Sequence, residues 1–257
     1  MKKLISLIVV ILILALVSNA CETIEKKENP QGLEFYKQDD GTYIVSCGEA
    51  KSLSNIVIPA TYKGGTVVGI GSFRGCESLR TITIPNTVKS IGDRAFKNCR
   101  NLTNITIPDS VTSIGNSAFS DCTALTSVNI PDSVTHIDSF AFSRCTSLKN
   151  VTIGDSVMEI GTSAFSYCSS LTSITLGDSV TKLGGTVFTH CTSLNSVTIP
   201  KSMKNMSYSI FNGCTSLTTV NFEGTVNQWK SIENKGVCLS GSSVTKVICS
   251  NGVISSE

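Results

Sequence analysis

Residues 102–122 read Leu102-Thr103-Asn104-Ile105-Thr106-Ile107-Pro108-Asp109-Ser110-Val111-Thr112-Ser113-Ile114-Gly115-Asn116-Ser117-Ala118-Phe119-Ser120-Asp121-Cys122. Leu102 to Ile107 alternates apolar and polar side chains, as a strand with one buried side does. Pro108-Asp109-Ser110 is a turn cluster. Val111 to Ile114 is a second short apolar segment that reads as a second strand. Ala118 to Cys122 is too short for a stable helix and reads as a helical turn.

The same stretch returns along the chain. Phe73, Phe96, Phe119, Phe142, Phe165, Phe188 and Phe211 are spaced 23 residues apart. So are Cys76, Cys99, Cys122, Cys145, Cys168, Cys191 and Cys214, with Leu79 to Leu217 in step. One such unit cannot bury its own apolar side, whereas stacked units share one continuous core. The expected architecture is a solenoid of parallel strands with rungs roughly 4.8 Å apart.

The unit L-x-x-I-x-I-P-x-x-V-x-x-I-G-x-x-A-F-x-x-C resembles the BspA-like, treponemal-type leucine-rich repeat over about residues 50–232. The resemblance implies a right-handed leucine-rich-repeat β-solenoid. It further implies a cell-surface or secreted protein of the kind associated with adhesion and coaggregation. Partners would be host matrix or other cell-surface proteins.

The flanks depart from the period, as solenoid caps do. Leu33 to Tyr36 and Tyr43 to Ser46, around Asp39-Asp40-Gly41, suggest a hairpin. Leu53 to Pro59 is a degenerate first strand. At the other end Gly224 to Trp229 replaces the second apolar segment, and Val244-x-x-Val247-x-Cys249 is a last strand. The expected division is a signal peptide over 1–20, a lipid-anchored charged tether over 21–32, an N-terminal cap over 33–72, the repeat array over 73–223 and a C-terminal cap over 224–257.

Lys2 and Lys3 followed by the apolar run Leu4–Val17 and small residues to Ala20 have the form of a secretory signal. The run is shorter than the roughly 20 residues of a membrane span. Ser18-Asn19-Ala20-Cys21 resembles a lipoprotein cleavage site, making Cys21 the lipidated first residue. The expected location is therefore the bacterial cell surface or outer membrane. Ordinary cleavage after Ala20, releasing a soluble protein, is the alternative.

The chain has 257 residues with 21 Lys and Arg against 19 Asp and Glu. Without Lys2 and Lys3 the charges balance at 19 each. A balanced chain lacks the basic face that nucleic-acid binding requires.

The cysteines admit three readings. Metal binding needs short pairs such as C-x-x-C, and the sequence has none. Disulfides between in-register neighbours hold the sulfurs parallel, with poor geometry. Buried free thiols acting as small hydrophobes fit Cys76 to Cys214 best. Cys47, Cys238 and Cys249 lie in the caps, where a Cys238–Cys249 bond is open.

His136 and His190 are the two histidines. His190 adjoins Cys191, but neighbouring side chains point apart and no triad is legible. No enzymatic activity, cofactor, metal or small-molecule substrate is expected. Asn86, Asp109, Asp132, Asp155, Asp178 and Lys201 form a further column. It reads as turn chemistry, each carboxylate bonding a backbone N–H two residues on, with a calcium-binding ladder as the other account.

The outer side of the main strand carries Thr81, Thr83, Asn104, Thr106, Ser127, Asn129, Asn150, Thr152, Ser173, Thr175, Ser196, Thr198, Thr219 and Asn221. This row of short polar groups is the expected binding face. It lacks the Trp, Tyr and Arg side chains that carry tight binding. Weak affinity multiplied by many copies on a cell is the expectation. A structural, self-associating envelope protein is the alternative function.

Overall fold

A computed structural model of the chain describes residues 29 and 31–255. Each repeat crosses the stack three times. The second apolar segment forms the most continuous sheet, in which two-residue strands follow one another in parallel. Ser90–Ile91, Ser113–Ile114, His136–Ile137, Glu159–Ile160, Lys182–Leu183 and Asn205–Met206 pair in unbroken register. The first apolar segment makes shorter runs. Asn55–Val57 pairs with Thr81–Thr83, Ser127–Ile130 with Asn150–Ile153, Ser173–Thr175 with Ser196–Ile199, and Ser196–Ile199 in turn with Thr219–Phe222. Between the first two runs a single bridge joins Asn104 to Ser127.

The third crossing differs from the expected helical turn. Ala118, Ser120 and Cys122 donate their N–H groups three residues back, to Gly115, Ser117 and Phe119. The residues between them, Ser117, Phe119 and Asp121, donate to Ser139, Ala141 and Ser143 of the next rung. A helix cannot share its donors this way, because its N–H groups all point along one axis. The alternation is met by putting Ser117 and Asp121 in the left-handed region, at φ 54 and 61. The result is a ribbon of tight turns, hydrogen-bonded to its neighbours as regularly as a sheet.

The core is the stack of repeated side chains. Phe73 to Phe211 are all fully buried. Their rings lie nearly parallel, with centroids 5.1 to 5.8 Å apart. Burying each ring contributes roughly 1.5–3 kcal/mol relative to exposure. The cysteines of the array are buried, free thiols. Cys122 Sγ donates to the Phe96 carbonyl at 3.1 Å, and Cys145 and Cys168 repeat this contact at 3.2 Å. Phe96 O also accepts from Cys99 N within its own rung. The thiol thus satisfies the second lone pair of a buried carbonyl, at little desolvation cost because S–H is a weak donor. Burial pushes the thiols of Cys122 and Cys168 up to about 12.

Different devices close the two ends. Glu34–Lys37 and Tyr43–Ser46 form the expected antiparallel hairpin. Phe35, Tyr43 and Tyr62 cluster there, with the Phe35 and Tyr62 rings stacked at 3.9 Å. At the far end the helix Val226–Ser231 starts with a reciprocal Thr225–Gln228 capping box. It lays Trp229 edge-on against Phe222 at 5.3 Å. Lys246–Cys249 adds the last parallel strand, and Gly252–Ser255 turns back on it. Cys238 and Cys249 are both free and buried, so the structure holds no bond between them. The signal segment and residues 21–28 and 30 of the tether, with Cys21, lie outside the described residues.

Candidate functional site

The strand face lies where the alternation puts it. Thr81, Thr83, Asn104, Thr106, Ser127, Asn129, Asn150, Thr152, Ser173 and Thr175 are exposed, whereas Ser196, Thr198, Thr219 and Asn221 are half-buried. Thr81 Oγ1 donates to Asn55 Oδ1 at 2.6 Å, so hydroxyls here also bond between rungs. Shallow depressions of about 350 and 330 Å³ run between this face and the aspartate column.

Two of the column's aspartates bond otherwise than expected. Asp132 Oδ1 accepts from the N–H of Asp155, one rung on, at 2.8 Å, and Asp155 from that of Asp178 at 3.4 Å. The donor two residues on is replaced by one 23 residues on, because stacking brings the next rung's N–H as close as the local one. Among the described residues no group of three or more His, Cys, Asp or Glu side chains is placed to hold a metal ion.

A depression larger than either of these lies on the tight-turn side. A groove of about 500 Å³ runs along the stack, with Ser120, Ser143, Ser166 and Thr189 on its floor. One wall is the column Ser117, Phe140, Ser163 and Thr186, and the other is Asp121, Arg144 and Tyr167. Lys97 lies at one end. The floor hydroxyls are tied down, with Ser143 Oγ and Ser166 Oγ 2.9 Å apart and Ser120 Oγ donating to Asp121 at 2.9 Å.

Both walls stand on left-handed residues. Phe140, Arg144, Tyr167, Thr186 and His190 have φ between 55 and 61. Such a conformation costs a non-glycine residue roughly 1–2 kcal/mol. The inter-rung ladder over-determines it, so bulky side chains are held where small ones suffice in other rungs. Tyr167 is sandwiched. The Arg144 guanidinium lies 4.7 Å from its ring centroid, one rung before. The His190 ring stacks on it at 4.8 Å, one rung after. His190 in turn lies over Gly213, where a Cβ would come within 2.5 Å of Nδ1. With its faces covered, Tyr167 offers a partner its edge and hydroxyl. Tyr167 is 40% and Phe140 42% exposed.

None of these groups was singled out as a site from the sequence, apart from His190 in its rejected pairing with Cys191. Their signal is there in retrospect. Phe140 stands where Ser117, Ser163 and Ser209 stand in other repeats, and Arg144 and Tyr167 stand where Asn98 and Asp121 do. The His190–Cys191 pair divides as expected: His190 faces outward, while Cys191 is buried and donates to Phe165 O at 3.1 Å.

Comparison with solved structures places this architecture. The leucine-rich repeat protein TpLRR of T. pallidum is 28% identical, with a TM-score of 0.54 over 74% of this chain and 83% of its own. A leucine-rich cell surface protein from Faecalibacterium prausnitzii is 25% identical, with a TM-score of 0.50 over 72% of this chain. The chain spans 63% of that protein's length. The pneumococcal vaccine antigen PcpA, at 20% identity and a TM-score of 0.54, shares the fold. The search of curated proteins returns no match. The profile of the BspA type leucine rich repeat region matches in six copies, over residues 46–172 and 114–238. The chain belongs to the BspA-type leucine-rich repeat family.

Proposed function

We propose that this is a non-enzymatic cell-surface interaction protein that acts as an adhesin or coaggregation factor. Its partners are host matrix or other cell-surface proteins. The observation that carries this reading is the Arg144–Tyr167–His190 stack beside Phe140, set along a groove in a rigid ladder. Tyr and Arg dominate binding hot spots because they combine large contact area with directional polar groups. Pre-fixed side chains lose little entropy on binding. The polar strand face then supplies a broad secondary contact. Export through residues 1–20 and lipidation at Cys21 place the solenoid outside the cell, in keeping with the cell-surface relative from Faecalibacterium.

The decisive experiment is a binding screen of the purified protein against immobilised matrix proteins and whole cells. Saturable binding that falls about tenfold in Tyr167→Ala and in Phe140→Ser supports the reading. No binding anywhere at high micromolar concentration overturns it. Binding untouched by either variant moves the site to the strand face. Labelling with a radioactive fatty acid, lost in Cys21→Ala, tests the anchor separately.

A further inference from the structure

The thiol column is built differently at its N-terminal end. From Cys99 to Cys214 each thiol donates to the Phe carbonyl of the preceding rung, at 3.0 to 3.2 Å. Cys76 heads the column, and its sulfur instead meets Cys47 Sγ at 2.7 Å. Cys47 is not a member of the repeat. It precedes Cys76 by 29 residues and comes from the cap, between the strand Tyr43–Ser46 and the 3-10 turn Gly48–Ser52. Its N–H is fixed to Ser72 O at 2.8 Å.

This placement removes the obstacle that applies within the array. In-register neighbours carry their thiols in parallel, which suits a carbonyl contact and opposes a sulfur–sulfur bond. The cap delivers Cys47 from outside the register, so these two sulfurs meet head to head. Their separation is closer than two unbonded sulfurs sustain. Both residues are buried.

We propose that Cys47 and Cys76 are a disulfide site that staples the N-terminal cap to the first rung. The oxidant is a small-molecule or protein disulfide. One cysteine thiolate attacks it, forming a mixed disulfide and releasing one thiol. The second cysteine thiolate attacks the mixed disulfide and releases the other. Two cysteine thiols become one disulfide, and the oxidant's disulfide becomes two thiols. Contact with Cys76, and burial after it, push the Cys47 thiol upward in the closed cap. The exchange therefore takes place while the cap is still open, when the thiolates are available. An end rung has a neighbour on one side only, so it is where a solenoid opens first. A bond closing the 47–76 loop restrains that opening.

The inference uses the exported location proposed above, since such bonds persist in oxidising compartments. The test supplies the oxidant directly and so stands apart from export. The full chain, purified in detergent, is equilibrated in a glutathione redox buffer and acid-quenched. It is then alkylated in denaturant without reductant and digested with trypsin. Peptides 38–51 and 75–80 each contain a single cysteine. The expected product is the two peptides joined, about 2 Da lighter than their sum and separated by reductant. Recovery of both peptides separately alkylated overturns the proposal, as does Cys76 joined to Cys99. Hydrogen exchange supplies the second readout. Reduction should speed exchange at the Gly71 amide, which bonds Val45 O across the cap, several-fold over Phe142 in mid-array. Equal rates before and after reduction overturn the staple.

Discussion

The strand face and the tight-turn groove hang on the same core and use the backbone in opposite ways. On the strand face every rung from Thr81 to Asn221 presents the same kind of group, a short hydroxyl or amide, so no point in that row differs from the next. In the groove the backbone repeats just as strictly, yet the side chains at its two walls change from rung to rung. Arg144, Tyr167 and His190 occur once each along one wall column, and Phe140 once along the other. A uniform surface gives contact without an address. A varied one on a fixed frame picks out a place along the stack. In this chain repeated positions carry stability, and the proposed recognition falls to the varied ones.

The largest expected effect removes both faces together. Phe142→Ala should cost about 3–5 kcal/mol, because the ring is fully buried between two others and the gap cannot close without shifting the ladders. Chemical denaturation measures it, and a neutral result would detach the Phe column from the core. Alkaline pH attacks the same core through the thiols. Cys122 and Cys168 move from an ordinary 9.0 to about 12. Between those values the folded chain keeps protons that the unfolded chain has lost. Stability is therefore complete below about pH 9 and falls as pH rises towards 12, by about 1.4 kcal/mol per pH unit for each thiol. Denaturant midpoints at pH 8 and 10.5 check the sign.

The next change separates the faces. Tyr167→Ala should weaken partner binding about tenfold. It should lower stability by only about 1–2 kcal/mol, the worth of the lost Arg144 and His190 ring contacts, because the Phe and Cys columns stay intact. A titration by biolayer interferometry, with a melting curve alongside, distinguishes the two effects. The smallest effect is expected on the strand face, where Thr152→Val should change stability by less than about 0.5 kcal/mol. If that variant abolished binding while Tyr167→Ala did not, the order of the two faces would be reversed.

The elements that could be read in advance are those whose cause is local or strictly periodic. Alternation over Leu102–Ile107 marked the first crossing, which in that rung keeps only a bridge at Asn104 and in others forms strands; the short apolar segment Val111–Ile114 marked the second, and the 23-residue step placed Phe119 and Cys122 in one core. Three features escaped. The tight-turn ribbon did, because Ala118 to Cys122 has no donor pattern until a second rung lies beside it. Asp132 did, because its partner is 23 residues away in sequence. The groove did, because a bulky residue such as Phe140 reads as mere variation until Arg144 and Tyr167 stand beside it.

The sequence by itself determined the repeat length, the inward columns of Phe, Leu and Cys, and the outward row from Thr81 to Asn221. Side-chain periodicity follows from backbone geometry, and every copy votes the same way. Only the tertiary structure decided which side has chemical character and where the cap meets the array. Tyr167 is covered by residues one rung to either side, and Cys47 reaches Cys76 from outside the register. Such contacts join residues by stacking, and a distance across rungs exists only once the rungs are laid down.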